Sequence, residues 1–257
     1  MTVDSETSST SLASYPSLRD RRVFITGGAT GIGETLVQEF AAQGAKVAFV
    51  DIAEAEGKAL ATKVNAWFRK VDVRDIAALQ TAIREAAEEL GDFNVLVNNV
   101  ANDDRHKLED ITAEYYDNRI GINQRPALFA IQAVTPGMKR LGGGSIINFG
   151  SISWQAKMEN MACYMIAKSA VDGLTRGLSR TLGRDKIRIN TVTPGAVSTE
   201  RQRKLWLTPE ALKEIDAAQC LPITVVPLDI ARMVLFLASD DSRACTAQEF
   251  KVDAGFV

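Results

Sequence analysis

The stretch Thr26-Gly27-Gly28-Ala29-Thr30-Gly31-Ile32-Gly33 follows directly on the apolar run Val23-Phe24-Ile25. The apolar run predicts a β-strand, and the spaced glycines Gly27, Gly31 and Gly33 predict a tight turn that opens a helix. Because glycine has no side chain, the backbone at this turn can closely approach a pyrophosphate held at the helix N-terminus. A strand, a glycine turn and a helix in this order are typical of the first unit of a dinucleotide-binding α/β fold.

Short β-branched runs alternate with stretches of helical periodicity along the rest of the 257-residue chain. This alternation predicts an α/β architecture, in which one doubly wound, Rossmann-type parallel sheet of about seven strands carries helices on both faces. A chain of this length can bury one core, so we predict a single domain over residues 18–257 and a flexible Ser- and Thr-rich tail over residues 1–17. The predicted strands cover residues 23–25, 46–50, 67–71, 94–97, 145–149, 187–192 and 249–252.

The overall charge argues against two classes of partner. With a net charge of −2 and a pI near 5.6, the chain has neither the basic footprint of a nucleic-acid-binding protein nor a polybasic patch for an anionic membrane. The first residues lack the basic and apolar regions of a secretory signal, and no apolar stretch is long enough to span a bilayer. Cys163, Cys220 and Cys245 lack metal-ligand spacing, so we predict buried free thiols, no metal and a cytoplasmic location.

Asp51 lies at the end of the second predicted strand, in the place where a dinucleotide fold carries an acidic residue. A carboxylate here can accept hydrogen bonds from both ribose hydroxyls of an adenosine. A 2′-phosphate would bring a second negative charge against Asp51, so the sequence favours NAD over NADP. Asp51 is also a candidate N-cap for a helix that begins near Ala53, a role that is compatible with cofactor binding.

Two further polar residues follow predicted strands. Asp72, in the pair Asp72-Val73 after the third strand, is a candidate for holding the adenine amino group. It is equally a candidate cap for a helix that starts near Asp75, and the sequence leaves both roles open. Asn98, at the end of the fourth strand, is expected to tie strand ends together beside the cofactor.

A second group of residues predicts proton transfer beside the cofactor. Tyr164 and Lys168 lie one helical turn apart in a stretch that reads as helix through Leu182, so they share one helix face. The ammonium is expected to lower the pKa of the phenol from its ordinary value of about 10 and to hold the nicotinamide ribose. The tyrosinate would then act as base on a substrate hydroxyl, and Ser151 would hydrogen-bond the same oxygen. With the glycine turn, this set predicts an enzyme that moves a proton and a hydride.

From about residue 18 to residue 257, the chain resembles the short-chain dehydrogenase/reductase family in these motifs. The resemblance implies that Asn123 keeps a water in the proton relay beside the lysine. It also implies that the Pro194-Gly195 segment, followed by Thr199, covers the nicotinamide and binds its carboxamide. The full predicted cofactor set is Gly27, Thr30, Gly31, Ile32, Gly33, Asp51, Ile52, Asp72, Val73, Asn99, Tyr164, Lys168, Pro194, Gly195, Val197 and Thr199.

The chain departs from the family at one motif. The family usually reads Asn-Asn-Ala-Gly after its fourth strand, whereas this chain reads Asn98-Asn99-Val100-Ala101. Alanine limits backbone freedom where the resemblance places the adenine ribose. We therefore expect a local adjustment or an altered affinity for NAD, and no loss of the cofactor.

The finer resemblance concerns the substrate. Segments 102–108, 148–154 and 218–221 are similar to those of bacterial aldose 1-dehydrogenases acting on D-xylose, L-arabinose or L-fucose, which implies NAD-dependent oxidation of the anomeric hydroxyl to a lactone. A polar insertion at about residues 198–222, with a helix-like piece at 209–218, is expected to border the substrate. Amides and hydroxyls suit sugar hydroxyls, and tryptophan can stack on a pyranose face. The predicted substrate residues are Asn102, Ser151, Ser153, Trp154, Tyr164, Gln202 and Trp206.

Several alternatives stay open at this point. A reductase of 3-oxoacyl thioesters would normally favour NADP and a basic docking surface, and a non-catalytic NAD sensor would use the fold to bind partners. His106 is a candidate substrate contact, or else it bonds to Asp103 or Asp104. The basic cluster Arg201, Arg203 and Lys204 is expected to form a solvated helix edge, in preference to an anion clamp. By resemblance, the chain is also expected to form a homotetramer.

Overall fold

The computed structural model describes residues 13–257, in which seven strands alternate with nine α-helices. The strands are β1 (Arg22–Thr26), β2 (Lys46–Asp51), β3 (Trp67–Lys70), β4 (Val95–Asn98), β5 (Gly144–Phe149), β6 (Ile187–Pro194) and β7 (Glu249–Val252). The helices are α1 (Gly31–Ala42), α2 (Glu54–Val64), α3 (Ile76–Leu90), α4 (Ala113–Asn123), α5 (Arg125–Arg140), α6 (Ala162–Gly183), α7 (Glu200–Leu205), α8 (Pro209–Ala218) and α9 (Pro227–Ala238).

The described strands form one parallel sheet in the order β3-β2-β1-β4-β5-β6-β7. The predicted single-domain, doubly wound α/β fold is confirmed, and so are all seven predicted strands, whose ends shift by at most two residues. The strand order reverses at β1, which pairs with β2 on one side and with β4 on the other. Loops that follow the strands at such a reversal diverge and leave a crevice at the carboxyl edge of the sheet.

Strand β1 shows how the sheet is buried on both faces. Val23 and Ile25 pack in one core cluster with residues of α1 and α9, whereas Phe24 packs in the opposite cluster with residues of α3 and α5. Successive side chains of a strand point to opposite faces, so a strand covered on both sides must be apolar throughout. Two layers of helices therefore hold the strand ends in fixed places.

Buried polar side chains connect strands β4, β5 and β6 to helix α6. Asn98 Nδ2 donates to Asn148 Oδ1 at 2.9 Å, and Asn148 Nδ2 donates to Thr175 Oγ1 at 3.0 Å. The hydroxyls of Thr175 and Thr191 lie 2.8 Å apart, and all four residues are buried. Breaking one of these bonds would leave a buried polar group without a hydrogen-bond partner, which is energetically costly. The bonds therefore hold the strands and α6 in a fixed arrangement. The expectation that Asn98 ties strand ends together is confirmed.

The packed part of the chain begins before residue 18, where the predicted tail was expected to end. Residues 1–12 of that tail lie outside the described residues. The Tyr15 N–H donates to Gln43 Oε1 at 2.8 Å, Pro16–Leu18 form a 3-10 turn, and Leu18 is fully buried. Residues 13–17 therefore belong to the domain.

Within residues 13–257, none of the helices has both the length and the apolar character needed to span a membrane. The same part of the chain contains no group of three His, Cys, Asp or Glu side chains that could hold a metal ion. The three cysteines are free, as predicted, but only Cys163 is buried. The prediction of burial was wrong for Cys220, which is exposed because it lies in the surface insertion after α8.

Candidate active site

A cavity of about 1680 Å³ opens at the carboxyl edge of the sheet. The loops after β1, β4, β5 and β6 line it, together with residues of α7 and α8. Every residue of the predicted cofactor set lies along this cavity. The predicted substrate residues that also line it are Asn102, Ser151, Ser153, Tyr164, Gln202 and Trp206.

The glycine turn between β1 and α1 leaves no room for side chains. Gly27 and Gly31 have positive φ values of 70° and 61°. A Cβ on Gly33 would lie 1.8 Å from the carbonyl oxygen of Gly27, and Asn99 Nδ2 donates to that same oxygen at 2.7 Å. The turn is a bare backbone surface at the N-terminus of a helix, which fits the pyrophosphate of a dinucleotide.

The carboxylate of Asp51 is held in one orientation at the edge of the cavity. Its Oδ2 accepts the N–H of Ala29 at 2.9 Å, and its Oδ1 accepts the N–H of Ala53 at 3.0 Å. Asp51 is not the N-cap of α2, because Ala53 occupies that position. Each carboxylate oxygen keeps a second lone pair, so the group can still accept hydrogen bonds from ribose hydroxyls.

Asp72 is bound by a neighbouring cation. The guanidinium of Arg74 donates to both carboxylate oxygens and holds the pKa of Asp72 below its usual range. The helix-cap interpretation of Asp72 was wrong, since Asp75 is the N-cap of α3 and accepts the N–H of Ala78 at 2.9 Å. Asp72 lines the cavity, so its role towards adenine stays a prediction.

The altered motif after β4 packs against the glycine turn. A Cβ on Gly27 would lie 2.9 Å from Val100 Cγ2, so the valine side chain occupies space directly beside the turn. Ala101 is not among the residues with positive φ, and its backbone is therefore unstrained. The expected local adjustment consists of a side-chain contact at Val100, with no unusual conformation at Ala101.

Ser151, Tyr164 and Lys168 meet at one end of the cavity. Ser151 follows β5, and Tyr164 stands in the first turn of α6, where the Ser151 hydroxyl lies near enough to the phenol to lower its pKa. Lys168 Nζ lies 5.8 Å from the centre of the Tyr164 ring and donates to the carbonyl oxygen of Phe149 at 2.8 Å. The predicted triad is thus assembled, on one helix and one strand end.

The protonation of this group differs from the expectation. Burial raises the pKa of Tyr164 to about 12, although the nearby Ser151 hydroxyl acts in the opposite direction. Burial also lowers the pKa of Lys168 to about 8. The predicted lowering of the phenol pKa by the ammonium was wrong for the groups of the chain itself, because both side chains are buried and desolvation disfavours both charged forms.

We expect Lys168→Met to change how stability depends on pH. Between pH 8 and 10.5 the unfolded chain binds more protons at Lys168 than the folded chain does, so this lysine makes stability rise with pH. The free energy of unfolding of the wild type relative to Lys168→Met should therefore rise by roughly 2 kcal/mol across this range. Urea unfolding at pH 7.5 and pH 10 measures the difference. A constant difference would show that Lys168 is solvated.

Asn123 stands at the end of α4, but outside the cavity lining. Its Oδ1 accepts the N–H of Asn102 at 2.7 Å, and its Nδ2 donates to the carbonyl oxygens of Asn102 and Arg119, both at 3.0 Å. The buried amide therefore fixes the loop after β4 to α4. A role in a proton relay stays a prediction.

The segment after β6 bends over the other side of the cavity. A Cβ on Gly195 would lie 2.6 Å from Asp253 Cα, so the segment packs closely against the chain after β7. Thr199 is the N-cap of α7, and its hydroxyl accepts the N–H of Gln202 at 3.2 Å. The predicted threonine thus has a capping role of its own beside the cavity.

Side chains of α7 form hydrogen bonds to the loop after β4. Arg201 Nη2 donates to Asp103 Oδ1 at 3.3 Å and to Asp104 Oδ1 at 2.7 Å, and Gln202 Nε2 donates to Asp103 Oδ2 at 2.7 Å. The guanidinium of Arg105 lies 5.0 Å from the ring centre of Trp206. The expectation of a solvated helix edge is confirmed, since Arg201, Arg203 and Lys204 are all exposed on α7, although Arg201 also pairs with two acidic side chains.

Of the two tryptophans predicted to contact the substrate, only one lines the cavity. Trp154 lies in a 3-10 turn after Ser151, is about one-third exposed, and does not line the cavity, whereas Trp206 does. Ser153 is buried behind Ser151, and their hydroxyls lie 3.0 Å apart. Stacking of a ligand on Trp154 is therefore not supported, because this side chain does not line the cavity.

Sequence reasoning missed Asp103 and Arg105 as site residues. Both line the cavity, and their charges act on Tyr164: Asp103 raises the pKa of the phenol and Arg105 lowers it. The polar segment 102–110, which follows β4, was expected to border a ligand crevice, but its pattern does not single out these two residues.

Known proteins share this fold and these motifs. A family model described as enoyl-(acyl carrier protein) reductase matches residues 27–257. A D-xylose 1-dehydrogenase of Caulobacter vibrioides is 49% identical and is aligned over 96% of this chain and 99% of its own. A probable galactose dehydrogenase of Rhizobium meliloti is 47% identical and is aligned over 94% of this chain and 96% of its own.

Solved structures agree with this result. A blue fluorescent protein from a metagenomic library, in complex with NADPH, is 34% identical, with a TM-score of 0.87 over 94% of this chain and 99% of the other. A short-chain type dehydrogenase/reductase from Mycobacterium ulcerans has a TM-score of 0.89 over 95% of this chain and 91% of the other. Its sequence is 22% identical, so this likeness shows the fold alone. Together with the site geometry, these likenesses show that the chain belongs to the short-chain dehydrogenase/reductase family and is a dehydrogenase acting on CH–OH groups.

Proposed function

We propose that the protein oxidises the anomeric hydroxyl of an aldose to the lactone, with NAD as hydride acceptor. The substrate is a pentose such as D-xylose or L-arabinose, or a 6-deoxyhexose such as L-fucose. The observation that carries the proposal is the meeting of Ser151, Tyr164 and Lys168 in the cavity that also contains the glycine turn. The sugar dehydrogenases among its relatives support a sugar substrate.

Each of these three side chains has its own role in the proposed reaction. Ser151 and Tyr164 bind the hydroxyl that is to be oxidised, and Tyr164, once its phenol has released its own proton to solvent, takes the proton of that hydroxyl. Because burial holds the pKa of the phenol near 12, forming the phenolate needs positive charge nearby, which Arg105 supplies. Lys168 would also hold the nicotinamide ribose. NAD, when bound, accepts the hydride from the anomeric carbon.

The preference for NAD follows from Asp51. Its carboxylate lines the cavity in an orientation fixed by two backbone N–H groups, so it cannot turn away from a ribose without losing both bonds. A 2′-phosphate would meet this negative charge. The neighbouring Ile52, which is also exposed to the cavity, offers no cation that would bind a phosphate.

The alternative of a 3-oxoacyl thioester reductase has less support. An acidic carrier would need free basic groups at the mouth of the cavity. Arg201, at that mouth, is already bound by Asp103 and Asp104. Asp51 also disfavours the NADP that such a reductase would normally use.

Initial rates of cofactor reduction with D-xylose, L-arabinose, L-fucose and D-galactose, each with NAD and with NADP, test the proposal. We expect turnover with at least one sugar, faster with NAD, and release of the lactone. Turnover of a 3-oxoacyl thioester with NADPH and no sugar oxidation would overturn it.

We also propose that the protein forms a homotetramer in the cytoplasm. Exposed apolar side chains on two long helices, Leu128 on α5 and Ile166 on α6, support pairing of these helices between subunits. Free cysteines are in keeping with a reducing compartment. Light scattering that gave a monomer mass would refute the tetramer.

A further inference from the structure

His106 connects three parts of the chain that meet beside Tyr164. Its backbone N–H donates to the carbonyl oxygen of Asn160 at 2.8 Å. Its ring Nε2 accepts the N–H of Cys163 at 3.2 Å, and its Nδ1 lies 3.1 Å from the Tyr115 hydroxyl and 3.3 Å from the carbonyl oxygen of Asp104. His106 does not line the cavity, so a substrate contact is not supported, whereas the expected bond to Asp104 is present through the backbone carbonyl of that residue.

The bond to Cys163 satisfies a free N–H at the start of α6. The first four N–H groups of a helix have no partner within it, and Met161, the N-cap of α6, provides no side-chain hydrogen bond. Cys163 is only 1% exposed, so water cannot readily replace the lost partner. His106, 57 residues earlier in the chain, therefore caps this helix one residue before Tyr164.

These contacts determine which nitrogen of His106 carries the proton. A ring nitrogen that accepts an N–H has no proton of its own, so Nε2 is bare and Nδ1 is protonated. Nδ1 then donates to the Tyr115 hydroxyl or to the carbonyl oxygen of Asp104. The ring thus joins α4 and the loop after β4 to the first turn of α6.

We propose that His106 is a positioning residue for the oxidation of the substrate hydroxyl. By holding the first turn of α6, it sets the distance from the Tyr164 oxygen to Ser151 and to the hydroxyl that both bind. Alignment of reacting groups is sensitive to displacements of about 1 Å, so loosening this turn lowers the rate of the chemical step. The inference rests on the proposed function, because it assumes that Tyr164 takes the proton.

Two substitutions at this position form a matched pair. In His106→Gln the amide oxygen can reach the place of Nε2, whereas in His106→Asn the shorter side chain reaches only the place of Nδ1. We expect His106→Asn to lower kcat by about 10- to 100-fold with little change in KM for NAD. His106→Gln should restore most of the lost rate. Steady-state kinetics with the best sugar substrate measure both constants.

Hydrogen exchange gives a readout that does not need turnover. The Cys163 amide should exchange faster in His106→Asn than in the wild type, and at close to the wild-type rate in His106→Gln. Equal kcat in the two variants, or an unchanged Cys163 exchange rate in His106→Asn, would overturn the inference. If the wild type oxidises no sugar, the proposed function fails, and the exchange experiment alone decides whether His106 holds α6.

Discussion

Replacing Tyr164 with phenylalanine is expected to lower kcat by a factor of about 10² to 10⁴, with the affinity for NAD nearly unchanged. The substitution removes the oxygen that takes the substrate proton and keeps the ring, which is buried in the first turn of α6. Because the loss falls on proton transfer, kcat should fall far more than KM for NAD rises. Initial rates of NAD reduction and titration of NAD by protein fluorescence measure the two effects.

Tyr116→Phe is the matched control for this experiment. Tyr116 lies on α4 and is exposed, and it does not line the cavity. Its variant should keep the wild-type kcat, and both variants should unfold at similar temperatures. A folded Tyr164→Phe protein with more than about one-tenth of the wild-type rate would exclude the phenol as the proton acceptor.

The second large effect is expected for Gly33→Ala, which should weaken NAD binding by about 10- to 100-fold. A Cβ at this position would lie 1.8 Å from the carbonyl oxygen of Gly27. The obstructing atom belongs to the backbone, so the turn or the start of α1 must move away. That movement disturbs the surface on which the pyrophosphate is expected to lie. Calorimetric titration with NAD measures the affinity.

Gly183→Ala adds the same methyl group without a clash. A Cβ on Gly183 meets nothing within 4 Å, and the residue is exposed at the end of α6. We expect unchanged NAD affinity and a slightly higher melting temperature, because alanine favours a helix over glycine. If Gly33→Ala bound NAD as tightly as Gly183→Ala does, the glycine turn would not be the pyrophosphate site.

Local patterns were sufficient to predict the sheet and the outline of the site. Strand runs such as 23–25 are apolar and β-branched, and the spaced glycines that follow are typical of a turn that binds a dinucleotide. The seven strands and the cofactor residues along the cavity could therefore be predicted from the sequence. The helix over Pro209–Ala218 was also predicted with its observed bounds. These features depend on neighbours within a few residues.

What the sequence could not predict depends on distant contacts. Arg201 meets Asp103 and Asp104 across more than ninety residues of chain, and His106 reaches Cys163 across 57 residues. No local pattern shows which of these charged and polar side chains will meet. The pKa of Tyr164 likewise depends on burial by the whole fold, which outweighs the single lysine on its own helix.

The buried hydrogen bonds that link Asn98, Asn148, Thr175 and Thr191 belong to the scaffold of the protein and not to its surface insertion. It anchors the ends of β4, β5 and β6 to α6 without using any residue of the insertion at 198–222. Mutations that reshape the insertion therefore leave these buried hydrogen bonds to α6 intact. Exchange of this surface segment could thus change what the cavity accepts while the scaffold that holds α6 in place is kept.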